Sequence, residues 1–177
     1  LRPSKLPLNS RIVIRSARTW HGCEKSVRPL ITGTSEYLTF VIISGGTIYW
    51  RKKDTSNPAK TISYSKDNGD TWVVISSSVG GKSIDVSAGD VILFKGNNSS
   101  YYGSTFSGST AKFEVEGNIM SLVDSNGFAT AATLSSESTF RGLFQYCSVT
   151  SAEHLVLPAT TLTNDCYNSM FYYCPSL

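Results

Sequence analysis

The C-terminal third of this chain repeats itself at a fixed offset. Residues 142–147 read GLFQYC and return as SMFYYC at 169–174, so that Phe144 corresponds to Phe171. Three leucines at short intervals, Leu155, Leu157 and Leu162, lie between the two copies. A period of about 20–29 residues with leucines at such spacing is typical of a leucine-rich solenoid. Each coil of a solenoid has an apolar face that only its neighbouring coils can bury.

The repeat leads to three expectations about individual residues. Cys147 and Cys174 occupy equivalent positions in the two copies, so we expect them to stack as buried, reduced thiols. Leu157 should point into the core, where truncation to alanine costs about 2–5 kcal/mol. The sequence stops at Leu177, where the next coil would begin, so we expect further repeats or a cap after this residue.

The second copy resembles one family of such repeats, the BspA-like leucine-rich repeat of surface proteins from gut Bacteroidetes and some protists. The matching positions are Leu155, Leu157, Pro158, Leu162, Cys166, Tyr167, Met170, Phe171, Cys174 and Leu177. The resemblance covers roughly residues 118–177, with residues 119–123 as the first opening strand. It implies a cell-surface or secreted module that binds a protein or glycan ligand and has no catalytic residue.

Upstream of the repeat, the sequence has short strand-like runs separated by turns. The run YLTFVII at 37–43 is followed by Gly45-Gly46, and SAGD at 87–90 precedes VILF at 91–94. Strands of this length, at this spacing, favour an antiparallel β-sandwich.

We therefore expect a mainly β chain with three parts. Residues 1–36 form an N-terminal extended segment, in which residues 11–15 read as one short strand. Residues 37–117 form an antiparallel β-sandwich, and residues 118–177 form the start of an incomplete leucine-rich-repeat solenoid of the BspA-like type. No Pro- or Ser-rich linker separates the last two parts, so we expect them to be rigidly fused.

The stretch SKDNGDTW at 65–72 matches the Asp-box motif, S-x-D-x-G-x-T-W. In this hairpin the aspartate caps the turn amides, the glycine takes a positive φ and the tryptophan covers the turn. The motif also occurs in sialidase propellers, but a propeller needs several blades and this sequence has one copy. We therefore interpret the motif as a structural hairpin. Asp67 and Asp70 lack the further oxygen ligands of a recognised calcium site.

The segment before the repeats also resembles a known module, the one that precedes BspA-like repeats in gut Bacteroidetes surface proteins. The matching stretches are YLTF at 37–40, the hairpin at 65–72, SAGD at 87–90, KGN at 95–97 and GNIMSL at 117–122. Similar arrays occur in tail proteins of phages that infect these bacteria. The resemblance therefore implies either a binding or adhesion module at the cell surface, or a structural or receptor-binding component of a phage tail or fibre.

Composition favours an extracellular protein that is not an enzyme. Hydrophobic residues make up 40% of the chain and charged residues 16%, which is typical of secreted β proteins. The sequence has no GxSxG, HExxH, P-loop or dinucleotide motif, so we expect no catalysis and no cofactor. The two histidines, His21 and His154, are far apart, which disfavours a metal site. The sequence contains no run of 18 apolar residues, so we predict no membrane span.

The N-terminal stretch 1–30 carries most of the positive charge, with seven basic residues and one acidic residue, or 7 − 1 = +6. A basic arm can contact nucleic acid or an anionic surface. No groove-reading motif accompanies this charge, so we prefer a solvated linker or a packed strand and expect no nucleic-acid partner. Trp20, His21 and Cys23 are close in sequence, and we interpret them as packing residues.

Two surfaces are candidates for ligand binding. One is the polar loop at 96–110, because loops often carry binding residues and tyrosines can stack on sugars or on protein partners. The alternative is that its tyrosines fold back onto the sheet. The other surface is the outward side of the solenoid strand, where residues alternate with inward Leu155 and Leu157. The predicted ligand-binding residues are Asn97, Asn98, Tyr101, Tyr102, His154 and Val156.

Overall fold

The computed structural model describes residues 36–177, which form a mainly β fold. The segment expected at 1–36, the strand at 11–15 and the residues Trp20, His21 and Cys23 fall outside the described residues, except for Glu36. The elements in the described part are β1 (Leu38–Ser44), β2 (Gly46–Lys52), β3 (Thr61–Ser65), β4 (Val73–Ser76), β5 (Lys82–Val86), β6 (Val91–Gly96), β7 (Ser104–Thr105), β8 (Lys112–Asn118), a 3-10 helix (Ile119–Leu122), β9 (Val149–Ser151) and β10 (Leu155–Val156).

The larger sheet is built around β1. The strands β8, β1, β6, β3 and β4 lie side by side in this order, and each neighbouring pair is antiparallel. Side chains alternate between the two faces of a strand, so Leu38, Phe40 and Ile42 share one face of β1. All three are buried in the hydrophobic core. The β-branched and aromatic run of β1 therefore forms a central strand.

A second antiparallel sheet contains β5, β2 and β7 and shares the same core. Phe106, directly after β7, connects the two sheets. Its ring centroid lies 4.9 Å from that of Phe40 in the larger sheet and 4.8 Å from that of Trp50 in β2. The expected mainly β class with antiparallel strand pairing is confirmed for β1–β8.

Two short strands extend the larger sheet in the parallel direction, so that the sheet is mixed. Both β9 and β10 pair with β8, with Val149 opposite Phe113 and Leu155 opposite Gly117. The backbone passes closely at Gly117, where a Cβ atom would lie 2.1 Å from the carbonyl oxygen of Tyr37, and its φ is +75°. Only glycine fits there. One sheet and one core thus run across the expected boundary at residues 117–118.

Beyond the strands, a regular ladder of backbone hydrogen bonds connects the two copies of the repeat. Alternate amides of the first copy donate to alternate carbonyls of the second, at distances of 2.7–3.0 Å. The two copies of the repeat are therefore held side by side by main-chain bonds. The donor and acceptor pairs are Phe140 with Cys166, Gly142 with Asn168, Phe144 with Met170, and Tyr146 with Tyr172.

The backbone conformation repeats along with the sequence. Positive φ angles of 54–65° occur at every fourth position in both copies, at places that correspond between them. Non-glycine residues seldom adopt such angles. Their recurrence at equivalent positions indicates that each copy is the same series of tight turns. The residues are Ser138, Gly142 and Tyr146 in the first copy and Asp165, Ser169 and Tyr173 in the second.

Aromatic rings stack between neighbouring segments in two columns. In the first column, Phe106, Phe144 and Phe171 follow one another with centroids 5.9 Å and 5.1 Å apart. In the second column, Tyr101 and Phe140 are 6.1 Å apart, and Phe140 and Tyr167 are 5.9 Å apart. Phe144 and Phe171, which we expected to occupy equivalent positions in the two copies, stack directly on each other.

The cysteines of the repeat are free thiols in the described residues. Cys147 is buried, and burial, together with the nearby Cys174, raises the pKa of its thiol. Cys174 is only partly buried, in contrast to the expectation of two fully buried thiols. Its Sγ donates a hydrogen bond to the carbonyl oxygen of Phe144 at 3.1 Å.

The Asp-box folds as the expected hairpin between β3 and β4. Asp67 accepts hydrogen bonds from the Ser65 hydroxyl and from the Thr71 amide and hydroxyl, and these bonds lower the pKa of its carboxyl group to about 2. The indole of Trp72 donates to the Gly69 carbonyl at 3.0 Å, and its ring centroid lies 3.8 Å from the Lys95 ammonium. The side chains of the motif thus stabilise the turn of the hairpin.

Leu157 is not the core residue that we expected. Its side chain is 43% exposed, whereas Leu143 in the preceding turn segment is fully buried. Leu155 packs against the core, but β10 ends at Val156 and Leu157 lies after it. The expected alternation of inward and outward side chains therefore ends with β10, before it reaches Leu157.

Replacing Leu143 by alanine should destabilise the protein by about 2–5 kcal/mol, because the truncation leaves a cavity among buried neighbours. The matched change at the half-exposed Leu157 should cost less than about 1.5 kcal/mol, because little buried apolar surface is lost. Urea denaturation of both variants measures the difference. Equal costs at the two positions would contradict this assignment of the core.

Candidate functional site

An open depression lies where the loop after β6 meets both copies of the repeat. Its volume is about 200 Å³. We call it the tyrosine groove, and its lining residues are Lys53, Tyr102, Gly103, Ser104, Thr105, Arg141, Gly142, Gln145, Tyr146, Ser169 and Tyr172. Separate stretches of the chain thus contribute to one surface.

The turns of the repeat place the side chains of the groove. Gly142, Tyr146 and Ser169 all have positive φ angles, and the amides of Gly142 and Tyr146 are bonded to the second copy. On the opposite wall, the amide of Lys53 donates to the carbonyl oxygen of Gly103 at 2.8 Å. Main-chain hydrogen bonds thus hold the backbone of both walls in place, as in the largely preformed pockets of small-molecule sites.

Exposed tyrosines are concentrated around this groove. Tyr102, Tyr146, Tyr172 and Tyr173 are 46%, 52%, 56% and 68% exposed, respectively. The ring centroids of Tyr146 and Tyr172 are 5.6 Å apart, and those of Tyr146 and Tyr173 are 5.5 Å apart. Contiguous exposed aromatic surface of this kind is a mark of interaction sites. Tyrosine also offers contact area at a low cost in conformational entropy.

Two cations border the groove. Arg141 forms an exposed ion pair with Asp165, with Nη1 and Oδ2 3.3 Å apart, and its guanidinium carbon lies 6.0 Å from the ring centre of Tyr102. Lys53 forms no salt bridge with any residue in 36–177. The part of the lining that residues 36–177 contribute contains no carboxylate, so the formal charge of that part is positive.

Tyr102 is the one predicted site residue that lines the tyrosine groove, and its neighbour Tyr101 requires a correction. Tyr101 is fully buried and packs against Trp50 and Phe140, so it is not an exposed contact. Its hydroxyl donates to the carbonyl oxygen of Leu122. Burial raises the pKa of Tyr101 to about 12. The alternative in which a tyrosine folds back onto the sheet is therefore realised by Tyr101 and not by Tyr102.

Asn97 and Asn98 lie beside a different, shallower depression of about 180 Å³, together with residues of β3. The side-chain oxygen of Asn97 accepts a hydrogen bond from the Ser125 amide at 3.0 Å. The side-chain nitrogen of Asn98 donates to the Thr61 carbonyl at 2.7 Å and to the Tyr101 hydroxyl at 3.0 Å. Both side chains thus hold the loop in place and do not line the tyrosine groove.

His154 and Val156 also lie apart from the groove lining. His154 precedes β10 and its carbonyl oxygen accepts a hydrogen bond from the Gly117 amide at 3.1 Å. Val156 lies in β10 opposite Asn118 of β8. Both residues are half-buried. The structure therefore does not unite the two predicted surfaces into one site.

The sequence interpretation missed most of the groove, including Lys53, Arg141, Tyr146 and Tyr172. A signal for the tyrosines was present in the repeat. Its offset aligns the dipeptide QY at 145–146 with YY at 172–173, next to the apolar positions that form the core. Tyrosines next to the apolar core positions of a repeat indicate the solvent-facing side of that repeat. Lys53 left no comparable signal, because its position depends on long-range pairing.

The described part of the chain offers neither a metal centre nor a membrane helix. Residues 36–177 contain no cluster of three or more His, Cys, Asp or Glu side chains that could hold a metal ion. In the same range, no helix combines the length and apolar content required to cross a bilayer.

No family model, curated protein or solved structure matches this chain.

The contrast between the two adjacent tyrosines can be tested by removing each hydroxyl. Tyr101→Phe should destabilise the protein by about 1–3 kcal/mol, because it removes the hydrogen bond to the buried Leu122 carbonyl. Tyr102→Phe, at an exposed side chain, should change stability by less than about 0.5 kcal/mol. Thermal or urea denaturation of the two variants provides the comparison. An equal effect at both positions would show that Tyr101 is not buried as described.

Proposed function

We propose that this chain is a non-catalytic binding or adhesion module of an extracellular or cell-surface protein, and that its tyrosine groove holds the ligand. The observation that carries the proposal is the concentration of exposed tyrosines around one preformed depression. Binding sites combine apolar contact area with a few placed polar groups. The groove has both, since Tyr102, Tyr146 and Tyr172 lie beside Arg141 and Gln145.

We also infer that the repeated segment belongs to a leucine-rich solenoid of the BspA-like type, fused to a β-sandwich. The hydrogen-bonded ladder between the two copies and the recurring positive φ angles support this inference. So do the columns of stacked aromatic rings. In such an architecture each coil contacts its neighbours, and the outer residues of successive coils form an extended surface for partners. The groove tyrosines belong to that surface.

The chemistry of the groove favours binding over catalysis. Among the described residues, the lining has no Asp, Glu, His or Cys side chain, so its possible general acids and bases are limited to Lys53 and the tyrosines. His154, the one histidine in the described residues, does not line the groove. The hydroxyls of Ser104 and Thr105 are buried in hydrogen bonds to Ser77 and to the Leu143 carbonyl.

Binding of the protein to arrayed glycans and to extracellular-matrix proteins tests the proposal. The double variant Tyr102→Ala, Tyr172→Ala should weaken binding by about tenfold or more, because it removes two aromatic contact surfaces. Val74→Ala, which truncates an exposed apolar side chain in β4, serves as the matched control and should bind as the parent does. If the double variant still bound as the parent does, the groove would not be the binding site. Turnover of a bound glycan or peptide would contradict the non-catalytic assignment.

A further inference from the structure

We propose that the tyrosine groove recognises an acidic sugar, meaning a pyranose ring that carries a carboxylate or a sulfate. This inference rests on the proposed binding function and adds the chemical class of the ligand. Three properties of the groove lead to it: the sign of its charge, the flat aromatic surfaces and the size of the depression.

The charge of the lining calls for an anion. Among the described residues, Lys53 and Arg141 are the charged residues of the lining, and both are cations. The guanidinium of Arg141 has five N–H donors, and its contact with Asp165 uses Nη1. That ion pair is exposed on both sides, so it contributes little stability, and the guanidinium lies beside Tyr102. A ligand carboxylate or sulfate can then accept from the remaining donors.

The aromatic surfaces call for a ring with an apolar face. Tyr146 and Tyr172 meet edge to face, with an interplanar angle of 88°, so their rings form two walls at right angles. The C–H groups of one side of a pyranose pack against such a ring, while its hydroxyls point outward. An extended acidic peptide offers the charge without this flat apolar face.

Polar groups for the sugar hydroxyls are also in place. Among residues 36–177, the side-chain amide of Gln145 forms no hydrogen bond, so its donor and acceptor atoms are available to a ligand. This amide lies close to Gly142, where a Cβ atom would approach it to 3.0 Å. A side chain at position 142 would therefore require the Gln145 amide to shift.

The volume limits the ligand to a small unit. Sites for drug-sized molecules measure about 300–1,000 Å³. The tyrosine groove, at about 200 Å³, is smaller. One sugar ring, with the rest of a glycan extending into solvent, is consistent with this size and with the open shape of the depression.

Titration of the isotopically labelled protein by NMR tests the inference. The probes are methyl β-D-glucuronide, methyl β-D-glucoside 6-sulfate and the neutral methyl β-D-glucoside, which share one ring and differ in the acidic group. We expect the Kd for at least one acidic probe to be about tenfold lower than that for the neutral probe, as for hydrogen bonds to a charged group. High salt should reduce this preference, because it screens exposed charges. The two acidic probes distinguish a carboxylate from a sulfate.

Variants assign the effect to the groove. Arg141→Gln and Lys53→Gln should each reduce the preference for the acidic probe by at least about threefold while binding of the neutral probe is retained. Lys82→Gln removes the same charge from the exposed end of β5 and should leave the preference unchanged. A preference that survives both groove substitutions would overturn the inference.

The outcome also separates this inference from the proposed function. Equal affinity for the acidic and neutral probes, or binding of tetraglutamate with no sugar bound, would overturn the acidic-sugar inference. The binding proposal would still stand if an arrayed ligand bound in a manner that depended on Tyr102 and Tyr172. Absence of any sugar, glycan or matrix binding would overturn both.

Discussion

The main-chain ladder between the two copies of the repeat is the constraint on which the rest of the C-terminal structure depends. Amides at alternate positions from Phe140 to Tyr146 donate to carbonyls at alternate positions from Cys166 to Tyr172, so the second copy is held in register with the first. The turns, with φ angles of 54–65°, present alternate amides to that ladder. A shift of one copy along the other would break these hydrogen bonds and separate Phe171 from Phe144.

That register organises both the core and the surface. On the inner side it stacks Phe144 on Phe171 and extends the column that begins at Phe106 between the two sheets. On the outer side the same turns bring Tyr146 and Tyr172 together beside Arg141. The position of the groove thus follows from the register of the repeat. The inner side of the same segments packs against the hydrophobic core of the sheets.

Sequence reasoning recovered what depends on local pattern. The strand-rich class followed from β-branched and aromatic runs, the Asp-box hairpin from SKDNGDTW, and the equivalence of Phe144 and Phe171 from the fixed offset of the repeat. It failed where long-range packing decides. Tyr101 and Tyr102 are adjacent and chemically identical, yet one is buried against Phe140 and the other is exposed. Likewise, nothing local to Lys53 indicates that it shares a groove with the residues of the repeat.

Amide hydrogen exchange measured residue by residue is the most direct test of the register. We predict that the amides of Phe140, Gly142, Phe144 and Tyr146 exchange more than about 10³-fold more slowly than unprotected amides, since they are hydrogen-bonded within the folded unit. Their protection should approach that of β1, with which they share a core. Exchange of these four amides within about tenfold of the unprotected rate, while β1 stays protected, would contradict the ladder and with it the groove.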